Sequence, residues 1–294
     1  MTTSGVADIR RKFAEALREK AKLRSSRLVE AFAHVPRERF LGEGPWSICV
    51  LSDDGRPSYE RTATSDPAEV YRDALIAIDA TRGLNNGEPS SLASWFDTLE
   101  VAPGETVVHI GTGTGYYTAI LAELVGPSGR VLGFEVDLQL AARARANLGT
   151  YAQVAVGSET QSLRERSVDA MFVNCGVTHP AIHWLTSLRV GARLLMPVTA
   201  APEANGIGRG AMYAATRHSD GIAVRFVSRV GIFPCAGQRS DELNRELLAK
   251  NADSWGDVRT LRMDRHTKEP SCWLHGAECC LSCLDLKPPP FIRP

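Results

Sequence analysis

The sequence predicts an α/β fold: a Rossmann-like, doubly wound, mainly parallel sheet with an antiparallel hairpin at one edge, an N-terminal helical cap and a C-terminal extension. Three observations predict it. Residues 106 to 198 alternate short β-branched runs with helical periodicity, the pattern left by parallel strands and their crossover helices. The turn Gly111-Thr112-Gly113-Thr114-Gly115 follows the first run directly and opens the first helix of that series. Glu135 ends the next run, about 20 residues on, where an acidic side chain can accept hydrogen bonds from both hydroxyls of a ribose.

The N-terminal part reads as helix. Ile9, Phe13, Ala16, Leu17, Leu23, Leu28, Ala31 and Phe32 have spacings compatible with one or two amphipathic helices that end near Pro36. From Leu51 to Ala68 the run Ser-Asp-Asp-Gly-Arg-Pro and the polar residues after it predict an irregular connection. Residues 68 to 79 and 90 to 99 show helical periodicity, and the polar segment Arg82 to Pro89 between them reads as a functional loop.

In the centre, Thr106 to Ile110 and Arg130 to Phe134 read as strands on either side of a helix from Tyr116 to Val125. A helix over 137 to 149, strands at 153 to 156 and 169 to 174, a helix at 179 to 188 and a strand from Ala192 to Val198 continue the alternation. Ala211 to Ala215 and Ile222 to Val230 flank the turn His218-Ser219-Asp220-Gly221 and predict the edge hairpin. Beyond it stand a helix near 240 to 250 and a cysteine-rich tail ending in prolines. The expected division is an N-terminal extension over 1–67, a cofactor-binding domain over 68–235 and a C-terminal extension over 236–294.

The 34 basic and 34 acidic residues cancel, so no global charge argues for nucleic acid or a membrane. The basic cluster among the first 27 residues reads as a solvated helix face, with a phosphate- or tRNA-contacting arm as the alternative. No stretch reaches the roughly 18 apolar residues of a spanning helix, and charge occupies the N-terminus where a signal peptide would be apolar. A cytoplasmic protein is expected, with a peptide or small molecule as partner and with a homodimer allowed. The seven cysteines are odd in number and read as reduced thiols. Cys272, Cys279, Cys280 and Cys283 would supply a four-thiolate zinc site, but one Cys-x-x-Cys pair alone has the usual spacing, so no metal is assigned.

Dinucleotide sites prefer Gly-x-Gly-x-x-Gly, whereas the spacing here is Gly-x-Gly-x-Gly, which favours a cofactor without pyrophosphate. Val108-His109-Ile110-Gly111-Thr112-Gly113-Thr114-Gly115-Tyr116 resembles the first motif of the protein-L-isoaspartate O-methyltransferases. Val35-Pro36-Arg37-Glu38-Arg39-Phe40, Ser167 to Val173 and Leu188 to Val198 resemble further segments of that family, and together the motifs cover about residues 30 to 200. The resemblance implies an S-adenosylmethionine-dependent methyltransferase, with the methionyl part beside Gly111 to Gly115 and the ribose on Glu135. The cofactor set expected on that basis is His109, Gly111, Thr112, Gly113, Gly115, Tyr116, Glu135, Val136, Ser158 and Asn174. Within it His109, in a buried strand, also reads as a core histidine.

Two departures stand out. The family's Thr-x-Ser-x-Pro segment, whose hydroxyl helps receive an isoaspartyl carboxylate, aligns with Asn85-Asn86-Gly87-Glu88-Pro89, so Gly87 replaces the serine and Glu88 adds negative charge. The Gly-Asp after the third strand becomes Gly157-Ser158-Glu159. Methyl transfer is an in-line displacement in which alignment and exclusion of water count most, and a base is needed only for an amine or hydroxyl acceptor. His179, after the fourth strand, is the candidate base, with a capping or packing role as its alternative, and Asn85, Asn86 and Glu88 read either as binders of a polar acceptor or as turn formers. The leading function is methyl transfer to a carboxylate or another heteroatom of a peptide or small metabolite. The alternatives are a cofactor-binding protein that has lost the reaction, an enzyme using the cofactor for a reaction other than methylation, and a nicotinamide enzyme.

Overall fold

The computed structural model describes residues 3–51, 57–201 and 206–286. In chain order the principal elements are α1 (Thr3–Ala21), α2 (Ser26–His34), β1 (Ser47–Leu51), β2 (Pro57–Arg61), β3 (Ala77–Asp79), β4 (Leu84–Asn85), α3 (Pro89–Leu99), β5 (Thr106–Ile110), α4 (Tyr116–Val125), β6 (Arg130–Phe134), α5 (Leu138–Leu148), β7 (Val154–Gly157), β8 (Val168–Val173), α6 (Ile182–Ser187), β9 (Leu188–Ala200), β10 (Gly208–Arg217), β11 (Ile222–Ile232), α7 (Asp241–Leu248), β12 (Thr260–Arg262), β13 (Cys272–His275) and β14 (Cys280–Ser282). Parallel and antiparallel strands with their flanking helices make the Rossmann-like fold expected. Among the described residues no helix is long and apolar enough to cross a membrane.

The chain divides into two units, one running to Glu105 and including Thr112–Ser158, the other comprising Thr106–Gly111 and the chain from Glu159 onward. In the first unit the apolar periodicity of the N-terminus yields two helices. Phe13, Ala14 and Leu17 of α1 are buried, as are Leu28, Val29, Ala31 and Phe32 of α2. The Ser25 side chain accepts from the Leu28 N–H and supplies the α2 N-cap, which is why the two helices are separate. Strands β6 and β7 run parallel, with Val131 opposite Val154. The Asp137 side chain caps α5 by accepting from the N–H groups of Gln139 and Leu140.

Two expectations for this unit are corrected. The connection from Leu51 to Ala68 is not wholly irregular, because β2 pairs antiparallel with β1, Glu60 opposite Ile48; Ser52, Asp53, Asp54, Gly55 and Arg56 lie outside the described residues. Residues 68 to 79 are not a helix but a 3-10 turn, Pro67–Val70, followed by β3. The cause is tertiary. The Arg37 guanidinium donates to the carbonyls of Val70, Arg72 and Ala74, groups that a helix would have used internally.

In the second unit the strand order is β13-β14-β12-β11-β10-β9-β8-β5. β5, β8 and β9 run parallel, while every pairing from β9 outward to β13 is antiparallel. The antiparallel side is therefore larger than the one hairpin expected from the sequence. β12, β13 and β14 extend it, built from tail residues whose short runs carry no strand periodicity. Buried Asp169 joins the start of β8 to its neighbours by accepting from the Thr106 N–H and pairing with Arg189.

Candidate functional site

The turn after β5 reverses the chain on glycines. Gly111 has φ +79°, and a Cβ there would lie 3.2 Å from the Asn174 carbonyl oxygen, so both conformation and space require glycine. Asn174 leaves β8 at the same level: its N–H donates to the Ile110 carbonyl at 2.8 Å and its Nδ2 faces the Gly111 carbonyl at 3.4 Å. His109, two residues before Gly111 in β5, is fully buried with its ring 5.4 Å from that of Phe172, and burial pushes its pKa down to about 3. That is a core position, in line with the packing reading of His109.

In the first unit, Gly113 and Gly115 also take positive φ, 56° and 99°. Glu135, at the end of β6, is 8% exposed and clasps the turn from the side. One of its carboxylate oxygens accepts from the Gly113 N–H at 2.8 Å and the other from the Asp137 N–H at 3.1 Å. Burial raises its pKa above the usual glutamate value, against the lowering effect of these two bonds. Each oxygen keeps a lone pair, so the carboxylate can still accept from a ligand. Buried Thr112 Oγ1 has no partner among the described residues, and the adjoining Val136 is 64% exposed, an apolar surface beside the acid. An acceptor for hydroxyls, a glycine turn with no Cβ at Gly113, an unused hydroxyl and an exposed apolar flank together fit a nucleoside. Ser158 is exposed at the end of β7.

Tyr116 stands differently from expectation. It is 1% exposed and packs edge-on to Phe32 and at an angle to Phe40, with Arg37 over its ring. It joins α4 to the N-terminal cap.

The segment over this turn is the β3–β4 hairpin. Ile78 Cδ1 lies 3.5 Å from the position a Cβ would take on Gly113. The hairpin is pinned by the Ile78 carbonyl, which accepts from Arg143 at 2.7 Å, and by Arg82, which pairs with both Asp79 and Asp137. The Thr81 hydroxyl, then Arg82, hold the Asp79 carboxyl down to about 2. No sequence pattern points to Ile78; Arg82 opens the segment read as a functional loop, and its pairing with Asp79 three residues away is the local signal for it.

The acceptor-loop candidates follow. Asn86 is 8% exposed, and its Oδ1 accepts from Arg37 at 3.2 Å. Arginine can only donate, which assigns the other amide atom as Nδ2, and Nδ2 has no partner among the described residues. Gly87 has φ +80°, and a Cβ there would meet Leu92 at 3.0 Å. Its N–H donates to Asn85 Oδ1 at 3.0 Å and its carbonyl accepts from the Tyr117 hydroxyl at 3.4 Å. Glu88 precedes α3, exposed, where it accepts from the Ser91 hydroxyl at 2.7 Å. Its charge at a helix N-terminus is favourable, a structural use of the residue. Asn86, Gly87 and Glu88 thus lie together in one loop, braced by Arg37 and Tyr117.

In the second unit His179 is half-buried, with Nδ1 2.9 Å from Thr178 Oγ1, and burial lowers its pKa. Thr178 Oγ1 in turn accepts from the Ser240 N–H at 2.9 Å, and the Thr178 N–H donates to the Gln238 carbonyl. The segment opening the C-terminal extension therefore holds the loop that carries His179. A neutral imidazole with its proton on Nδ1 leaves Nε2 basic.

The family model for protein-L-isoaspartate(D-aspartate) O-methyltransferase (PCMT) matches residues 9–231. A protein-L-isoaspartate O-methyltransferase of Methanopyrus kandleri is 30% identical over 195 residues, 64% of this chain and 76% of that relative. One of Geotalea uraniireducens is 30% identical over 223 residues, 74% of this chain and 90% of the relative. Among solved structures, a protein-L-isoaspartate O-methyltransferase superposes with a TM-score of 0.59 at 19% identity, covering 81% of this chain and 69% of the other. A Plasmodium falciparum chain assigned to the same activity, solved with S-adenosyl-L-homocysteine, gives 0.58 at 16% identity and covers 78% and 98%. These two likenesses show the fold.

Proposed function

The chain belongs to the protein-L-isoaspartate(D-aspartate) O-methyltransferase family, and from that premise we propose that it moves the methyl group of S-adenosylmethionine to a carboxylate of a peptide, through an acceptor loop altered from the family's. It is an S-adenosylmethionine-dependent methyltransferase by family. The observation that carries the reading is the buried Glu135 carboxylate bonded to the Gly113 N–H, because it joins the ribose acceptor to the backbone turn in one unit.

When bound, the cofactor supplies an electrophilic methyl on a sulfonium, and its transfer turns a carboxylate into a methyl ester and the sulfonium into a thioether. The chain has to hold and align. Glu135 would accept from the ribose hydroxyls, the exposed face of Val136 would lie along the nucleoside, and Gly113 would keep the backbone close. The β3–β4 hairpin would exclude water over the turn. Asn86 Nδ2, buried and unpartnered, is suited to donate to an anionic acceptor, taking up a task that the family gives to the serine absent at Gly87. A carboxylate is already a nucleophile, so His179 would have no proton to remove.

The test is incubation with S-adenosylmethionine, with and without isoaspartyl and aspartyl peptides, following S-adenosylhomocysteine and base-labile methyl ester. Peptide-dependent formation of both supports the proposal. Cofactor binding without transfer to any peptide favours a binding protein that has lost the reaction, for which the left-handed Gly87 is the specific observation. Methylthioadenosine as the product points to a reaction within the cofactor itself.

A further inference from the structure

We propose that His266, Cys272, His275 and Cys280 form a structural zinc site that fastens the C-terminal extension. Each offers one donor atom, and the four atoms all lie within 4.8 Å of one another. Zinc bond lengths of about 2.3 Å to sulfur and about 2.0 Å to nitrogen put tetrahedral donors roughly 3.3 to 3.8 Å apart. Cys272 Sγ and His266 Nε2 already stand at 3.4 Å. The residues are separated in sequence by five, two and four others, yet they come from three segments: the loop after β12, both ends of β13 and the first residue of β14. Cys280 is the register partner of Arg262 and of His275, so an ion there would tie β13 and β14 to each other and to the loop that leads to them from β12.

The surroundings suit a metal. His266 Nδ1 is 2.9 Å from the Asp264 carbonyl and 3.3 Å from its carboxylate, which fixes the proton on Nδ1 and turns the Nε2 lone pair toward Cys272. Asp264 is itself held by Arg262. The Glu269 N–H donates to Cys272 Sγ at 3.3 Å, a bond that supports a thiolate. His275 keeps a buried Nδ1 with no partner among the described residues. Cys272 and Cys280 are 8% and 1% exposed and are free thiols, so no disulfide accounts for their approach. Two thiolates and two neutral imidazoles neutralise a divalent ion and select zinc, and four protein donors leave no open position, which makes the site structural. Cys279 and Cys283, part of the four-thiol set read from the sequence, lie outside this group.

Full-length protein, made without an affinity tag or chelator, should carry one equivalent of zinc by elemental analysis. Removing it with a strong chelator should lower the melting temperature by about 10 °C or more, and adding zinc back should restore it. The cobalt(II)-substituted protein should show the visible bands of a tetrahedral ion and thiolate-to-cobalt charge transfer. Cys272→Ser and His275→Gln should lose the metal, whereas Cys279→Ser and Cys283→Ser should keep it. Cobalt titration of the unsubstituted chain decides the matter even if a variant fails to fold: absence of the charge-transfer band overturns the proposal. Metal that survives His266→Gln and His275→Gln but is lost in Cys279→Ser also overturns it.

Discussion

Arg37 Nη2 donates to Asn86 Oδ1 at 3.2 Å across 49 residues of sequence, so the N-terminal cap holds the acceptor loop directly. The guanidinium is fully buried and also satisfies the carbonyls of Val70, Arg72 and Ala74. Its position explains why a Val-Pro-Arg-Glu segment belongs with a loop so far along the chain. One side chain organises the turn at 70 to 74 and sets the face of Asn86 from which Nδ2 is left free.

Arg37→Met removes every one of those donors and leaves several buried acceptors unpaired, at about 1–3 kcal/mol each. The expected outcome in a denaturant titration is a loss of roughly 3 kcal/mol or more. Arg37→Lys keeps the charge but cannot reach all four acceptors. In that variant KM for the peptide should rise well above wild type while the cofactor dissociation constant stays within about twofold, a split that steady-state kinetics and calorimetry measure separately.

Glu135→Gln leaves one acceptor where there were two, so either the Gly113 or the Asp137 N–H loses its partner. Cofactor affinity should fall about 10- to 100-fold, equivalent to about 1.5–3 kcal/mol for a bond to a charged group. The direction of the Glu135 pKa adds a pH signature. The carboxylate is the form that accepts from two hydroxyls, and its pKa is raised, so affinity is full above that raised value and declines as the pH falls through it. Calorimetry from pH 8 downward should find the decline beginning at a higher pH than an ordinary glutamate would give. A flat profile between pH 8 and the ordinary glutamate range, or an unaltered affinity in the variant, contradicts the assignment.

Gly87→Ser restores the family's serine in sequence, yet the position has φ +80° and a Cβ would approach Leu92 at 3.0 Å. The substitution should lower stability by about 1 kcal/mol or more and gain no isoaspartyl methylation. Gly87→Asn, better tolerated in the left-handed region, should cost less. A serine variant that is both stable and newly active would mean that Gly87 alone accounts for the loop's divergence.

His179→Gln separates two chemistries. If the acceptor is a carboxylate, kcat should fall by less than about tenfold, because removal of a general base usually costs about 10²- to 10⁴-fold. A loss in that larger range, together with an acid limb lying below the ordinary histidine pKa, would identify an acceptor whose proton must be taken, since burial moves the His179 pKa downward.

By itself the sequence determined the central alternation of β5, α4, β6 and α5, the glycine turn and the place of Glu135. Each is a local pattern: a period of side chains, a spacing of glycines, an acid at a strand end, all readable within about 30 residues. Tertiary structure alone decided the rest. Residues 68 to 79 have a helical pattern, but Arg37 takes their carbonyls, and a long-range bond to a buried guanidinium outweighs a propensity of a few tenths of a kcal/mol per residue. Tyr116 stands beside the glycine turn in sequence yet is drawn into the cap by Phe32, Phe40 and Arg37. In the tail, cysteine spacing pointed to thiols alone, while strand pairing in β12, β13 and β14 brings His266 and His275 beside Cys272 and Cys280. Which donors meet depends on register between short strands, and register is a property of the folded sheet that no single segment carries.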